Sequence, residues 1–97
     1  MTDASVYYNK ANNAQQGFDL ASNFLKSSEG RSKFPMEIDF SFISGASPQV
    51  IGKGKGFEVV LSFYDAEVAI NLKLKFMLKP LRGKIIDTLT DEIKRVL

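Results

Sequence analysis

The sequence predicts an α+β protein of two layers: a long N-terminal helix, a three-stranded antiparallel sheet and a C-terminal helix, in the order α-β-β-β-α. Three observations predict it. Apolar residues recur at helical spacing near both ends of the chain, they alternate at period two through the middle, and 97 residues suffice for one modest core. A single domain over residues 1–97 follows.

Residues 4–27 are expected to form the long helix. Tyr7, Ala11, Ala14, Phe18, Ala21 and Leu25 make a heptad-like stripe, widened by Leu20 and Phe24. Gly17 weakens its middle by roughly 1 kcal/mol relative to alanine. Gly30 and then Pro35 end it. Residues 36–43 read as a strand, with Met36, Ile38, Phe40 and Phe42 on one face and Glu37, Asp39 and Ser41 on the other. Ser44–Pro48 has the chemistry of a loop. Val50 and Ile51 start the next strand irregularly, because Gly52, Gly54 and Gly56 weaken pairing.

The hairpin after these glycines is the clearest feature. Phe57, Val59, Leu61 and Phe63 alternate with polar or smaller residues, as do Val68, Ile70, Leu72, Leu74 and Phe76. A tight turn at Asp65-Ala66 sets Phe63 opposite Val68, Leu61 opposite Ile70, Val59 opposite Leu72 and Phe57 opposite Leu74. Every apolar pair then shares one face, and Glu58 meets Lys73 on the other. Residues 80–97 read as the closing helix. Pro80 suits its first position, Leu81, Ile85, Leu89, Ile93 and Val96 form its stripe, and Asp91 and Arg95 form an i,i+4 pair.

Composition excludes much chemistry. The chain has no His, Cys or Trp and a net charge of +2. No Ser-His-Asp or Cys-His nucleophile can be built, nor the usual zinc site, nor a disulfide framework. The expectation is therefore no enzyme, no cofactor and no metal. Met1–Lys10 carries Asp3 and no apolar block, so it does not read as a secretory signal. The most apolar stretch, Val68–Leu81, is interrupted by Asn71, Lys73, Lys75 and Lys79, so no membrane span is expected. Cytoplasm is the expected compartment.

Four features invite functional readings. The Gly52–Gly56 run resembles a phosphate cradle, but a Walker loop has other spacing and precedes a helix, whereas this run enters a strand. Lys53, Lys55, Lys73, Lys75, Lys79, Arg82 and Lys84 gather at one end of the hairpin. They form a candidate anion-facing patch for an anionic surface, nucleic acid or phosphate, although the plainer reading is a solvated face guarding a sheet edge. Glu37 with Asp39, or Asp87 with Asp91, are paired carboxylates with nothing to bury them. Tyr7, Ala11, Ala14, Phe18, Leu20, Ala21, Phe24 and Leu25 form a face wider than one core stripe needs. It is either core or an interaction face for a homo-oligomer or another partner.

Residues 76–97, from Phe76-Met77-Leu78-Lys79-Pro80 through Gly83 to the isoleucine-rich helix, resemble the ending of small bacterial proteins of the polyhydroxyalkanoic acid system family. Phe42–Leu74 is similar to that family's strands, so the likeness spans residues 36–97. Family members usually open with a short, histidine-containing strand before the first helix. This sequence, read alone, opens in a helix without histidine. The resemblance implies association with polyester storage through contact with a hydrophobic granule or a partner protein, and no catalytic residues. The favoured expectation is a non-enzymatic accessory protein acting by self-association or contact with a hydrophobic inclusion. The alternative is a small apolar-ligand or lipid-binding domain in which a curved sheet grips a helix, and the third choice is an anion or nucleic-acid binder using the lysine cluster.

Overall fold

In a computed structural model, described for residues 3–27 and 38–97, the chain opens as a strand and not as a helix. Strand β1 (Ala4–Tyr7) leads to helix α1 (Ala14–Lys26). Strands β2 (Asp39–Ile43), β3 (Gln49–Gly54), β4 (Phe57–Phe63) and β5 (Glu67–Leu74) follow, then a 3-10 turn (Phe76–Leu81) and helix α2 (Arg82–Val96). The five strands form one antiparallel sheet in the order β1-β5-β4-β3-β2. The expected three-stranded sheet with a long helix over residues 4–27 is thus corrected. The sheet gains β1 and β3, and the helix shrinks to 13 residues.

The first correction rests on the cap. Asn13 sits in extended backbone (φ −159°, ψ 178°), and its side chain accepts a hydrogen bond from the Gln16 N–H. The Gln16 side chain in turn accepts from the Asn12 N–H at 2.8 Å. The Asn13 side chain thus satisfies a donor that the first turn leaves open, and the Gln16 amide ties down the N–H just before the cap, so the helix starts at Ala14. Tyr7 and Ala11 match the helical stripe by spacing alone. Upstream, β5 claims the chain: Ala4 lies opposite Ile70 and Val6 opposite Val68. Val6 is buried, while Tyr7 points to the outer face and is 73% exposed.

The second correction is β3, which pairs with β4 along its whole length and with β2 from Gln49 to Lys53 despite its glycines. A Cβ on Gly52 would lie 2.9 Å from the Phe40 ring and 3.0 Å from Val59. The aromatic ring of the edge strand fills the space that the glycine leaves. Gly56 has φ +87° in the two-residue turn Lys55-Gly56, a position that favours glycine. The glycine run is therefore ladder plus hairpin turn, with no cradle. The β4–β5 hairpin has the expected register, with Phe63 opposite Val68, Leu61 opposite Ile70, Val59 opposite Leu72, Phe57 opposite Leu74 and Glu58 opposite Lys73. The Tyr64 N–H donates to the Glu67 carbonyl at 2.8 Å, closing the turn on Asp65-Ala66.

Both helices pack on one face of the sheet. Phe18, Ala21 and Leu25 of α1 and Ile85, Leu89 and Ile93 of α2 join Val50, Val59, Leu61, Phe63, Val68, Ile70 and Leu72 in one core. The Phe18 and Phe63 rings meet edge-to-face at 5.9 Å. The buried Leu97 ends the helix stripe, and its carbonyl accepts from the N–H groups of Asn9, Lys10 and Ala11, fastening α2 to the loop before α1. Pro80 lies inside the 3-10 turn and does not open the helix. Arg95 bonds Glu92, one turn back, where the sequence reading paired it with Asp91.

Gly17, read from the sequence as a weak point of the helix, has a packing reason. A Cβ there would stand 2.8 Å from Cζ of Tyr8. The Tyr8 hydroxyl is buried and makes no hydrogen bond of ordinary geometry. Burial pushes its pKa up to about 12, with the Tyr64 backbone opposing and the Asp65 and Glu67 carboxylates adding to the rise. In a Tyr8→Ala background, Gly17→Ala should stabilise the protein by about 1 kcal/mol through helix propensity. In the wild type the gain should be smaller, because the ring must move. A double-mutant cycle from urea melts measures the difference, and equal gains would show that the ring does not dictate the glycine.

Candidate functional site

The expected basic cluster is only partly a cluster of free charge. On the outer face of the sheet, Asp39, Lys53, Glu58 and Lys73 form one row across β2, β3, β4 and β5, alternating in sign. Lys53 Nζ lies 3.8 Å from the Glu58 carboxylate. Arg82 is held by Asp3 in an ion pair and also donates to the Leu72 carbonyl. Asp3 accepts as well from the Leu72 N–H at 2.7 Å. Asp3 and Asp39 were not expected at this end, since β1 and the pairing of β2 were not visible in the sequence. Lys55, Lys75, Lys79 and Lys84 are all exposed, on the β3–β4 turn, at the end of β5, in the 3-10 turn and at the start of α2.

Between these lysines lies a feature that the sequence reading missed. Phe76 was expected on the inner face of the last strand. Instead β5 stops at Leu74, and Phe76 and Met77 are 85% and 87% exposed. The Lys75 N–H donates to the Gly56 carbonyl and the Leu78 N–H to the Lys75 carbonyl, both at 2.8 Å, which bends the chain into the 3-10 turn. Leu78 is the half-buried foot of this turn. A Cβ on Gly56 would lie 3.0 Å from its Cδ1, so the glycine gives it a seat beside Lys55. With three residues per turn, Leu78 and Leu81 share one side, while Phe76 and Lys79 share another. The signal was present: three successive apolar residues, 76–78, break the period of two just before Lys79-Pro80.

The expected interaction face on the first helix is divided by the fold. Phe18, Ala21 and Leu25 are buried in the protein's own core, and Ala14 and Phe24 pack against it, Phe24 beneath the Arg95 guanidinium at 5.4 Å. Ala11 lies in the loop before the helix, Tyr7 is on β1, and Leu20 is 37% exposed. Asp39, Asp87 and Asp91 are exposed; Glu37 lies outside the described residues.

Among the described residues, the apolar crevice between α1, α2 and β4, lined by Phe24, Leu25, Leu61 and Leu89 among others, holds about 20 Å³. That is room for about one water and none for an acyl chain. A hollow of about 310 Å³ between Ala14, Ser47, Pro48, Ser62 and Asp65 is open to solvent. No helix among the described residues is long and apolar enough to cross a membrane. Compared with protein-family profiles, curated proteins and solved structures, the chain matches none. Among the described residues, fold and site together define an α+β protein with two helices on one face of a five-stranded antiparallel sheet and an apolar turn projecting from one end.

Proposed function

We propose that this is a non-enzymatic accessory protein that docks onto a hydrophobic inclusion or partner through its 3-10 turn. The observation that carries this reading is the pair Phe76 and Met77, both more than four-fifths exposed on a turn whose foot, Leu78, is anchored. Burying each such side chain is worth about 1.5–3 kcal/mol, so a fold that holds both in water has a gain left for a partner to collect. Resemblance to the polyhydroxyalkanoic acid system family supports the same reading, since the residues that carry it include this turn. The strand that opens the fold, Ala4–Tyr7, is similar in place to the strand that opens members of that family, without the histidine that theirs carries.

Rival readings draw on less. An apolar-ligand domain needs a mostly apolar cleft of hundreds of cubic ångströms; among the described residues the apolar crevice holds about 20 Å³, and the hollow of about 310 Å³ is open and lined in part by Ser47, Ser62 and Asp65. Self-association through residues 7–25 is left with Leu20 and Tyr7 as exposed large apolar side chains, one on a helix and one on a strand. Nucleic-acid binding through the whole lysine set meets the alternating row of Asp39, Lys53, Glu58 and Lys73.

The test is adsorption to polyester particles. Phe76→Ser with Met77→Ser should abolish adsorption while changing stability by no more than about 0.5 kcal/mol, as expected for exposed positions. Undiminished adsorption of the double variant would overturn the reading.

A further inference from the structure

We infer that the surface met by the Phe76–Leu81 turn is an anionic phospholipid interface, with Phe76 and Met77 entering the acyl boundary and Lys55, Lys75, Lys79 and Lys84 holding headgroup phosphates. The inference rests on the docking role proposed above and names the chemistry of what is docked upon.

Residues 68–86 contain five basic residues and no acidic one. Arg82 is paired with Asp3 across the sheet edge, and Lys53 with Glu58. The remaining cations nearest the apolar pair stand on both sides of it in the chain: Lys75 immediately before Phe76, Lys79 one 3-10 turn after it, and Lys84 in the first turn of α2. Lys55 joins from a separate hairpin, because the Leu78 foot and the Lys75 N–H both seat against Gly56.

A bare polyester or a neutral apolar groove would match Phe76 and Met77 but strip water from the lysines without return. A nucleic acid would match the lysines and could stack one base on Phe76, yet would leave the thioether of Met77 without a role. An anionic lipid layer matches both kinds of residue at once. Its acyl boundary takes a short apolar wedge, and its phosphates lie at the depth that lysine stems reach when they snorkel. Each lysine near such a surface contributes about fivefold to binding, and the effect is lost beyond a Debye length.

The chain has no tryptophan, so Phe76→Trp supplies a single fluorophore at an exposed position. Its emission should shift to the blue with phosphatidylcholine vesicles containing phosphatidylglycerol, and stay unshifted with phosphatidylcholine alone. Vesicle flotation should weaken by on the order of 100-fold when Lys75, Lys79 and Lys84 are all changed to Gln, and should weaken steeply with salt.

Equal, salt-insensitive binding to neutral and anionic vesicles would overturn the inference, as would adsorption to bare polyester with no vesicle binding. Both of those outcomes leave the docking role standing. Binding to neither surface would remove both. Vesicle binding that an oligonucleotide displaces, with Trp emission unshifted, would overturn insertion in favour of a polyanion site.

Discussion

Phe18→Glu is expected to unfold the protein. Phe18 is 7% exposed and meets the Phe63 ring edge-to-face at 5.9 Å, so it joins α1 to the centre of the sheet. Removing such a ring costs about 3–5 kcal/mol through lost transfer and the cavity left behind. A glutamate adds a carboxylate to an apolar site, which must then stay protonated or drag in water. Against a total stability of about 5–15 kcal/mol for a domain of ordinary size, that loss removes most of the margin. Leu20→Glu, two residues along the same helix at a position 37% exposed, should change stability by less than about 1 kcal/mol. Urea melts followed by circular dichroism measure both. If Phe18→Glu stays folded and instead shifts sedimentation toward a smaller species, the stripe from Tyr7 to Leu25 is an interface after all.

The contrast between the two ends of the chain shows what a sequence exposes. The β4–β5 register was legible because alternation on both strands and the opposite charges of Glu58 and Lys73 all require one alignment, and a slip of one residue breaks every pair. Strand β1 was not legible. Its four residues give no measurable period, and its partners Val68 and Ile70 lie more than sixty residues further along the chain. The adjacent residues then supplied a false period, since Tyr7 and Ala11 happen to extend the true stripe of α1, which begins at Ala14. Asn13 and Gln16 carried the correct boundary as a capping pair, a local signal that should outweigh a stripe half made of alanine. Strand β3 was obscured for a different reason. Glycine is unfavourable in a ladder by itself, and only the fold shows that Phe40 covers Gly52. The candidate site failed in the same way as β1. The lysines were visible as a cluster, but their apolar centre was assigned to a strand, because Phe76 continues the alternation of β5 by one step beyond the point where the Lys75–Gly56 hydrogen bond turns the chain.

The register itself makes the second large prediction. Leu61 lies in the central strand β4 between Val50 on one side and Ile70 on the other, and the three are 2%, 0% and 0% exposed. Above them pack the core residues of α1 and α2, and Leu61 also forms one wall of the small crevice between those helices. Leu61→Ala should therefore cost about 2–5 kcal/mol. The upper half of that range is the expectation, because neighbours held in a paired strand on each side cannot collapse into the gap. The added volume should join the existing crevice of about 20 Å³, so a cavity large enough for a small apolar probe is created where none fits in the wild type. Ser62→Ala, one residue on, changes a side chain on the opposite face, where Ser62 lies between Gln49 and Ala69 and accepts a long 3.4 Å hydrogen bond from the Gln49 amide. It should cost less than about 0.5 kcal/mol. Denaturant melts of the two variants test the face assignment directly: comparable losses would mean that β4 does not present alternate residues to core and solvent, whereas a large loss confined to Leu61, partly recovered in the presence of benzene, would locate the cavity beneath the two helices.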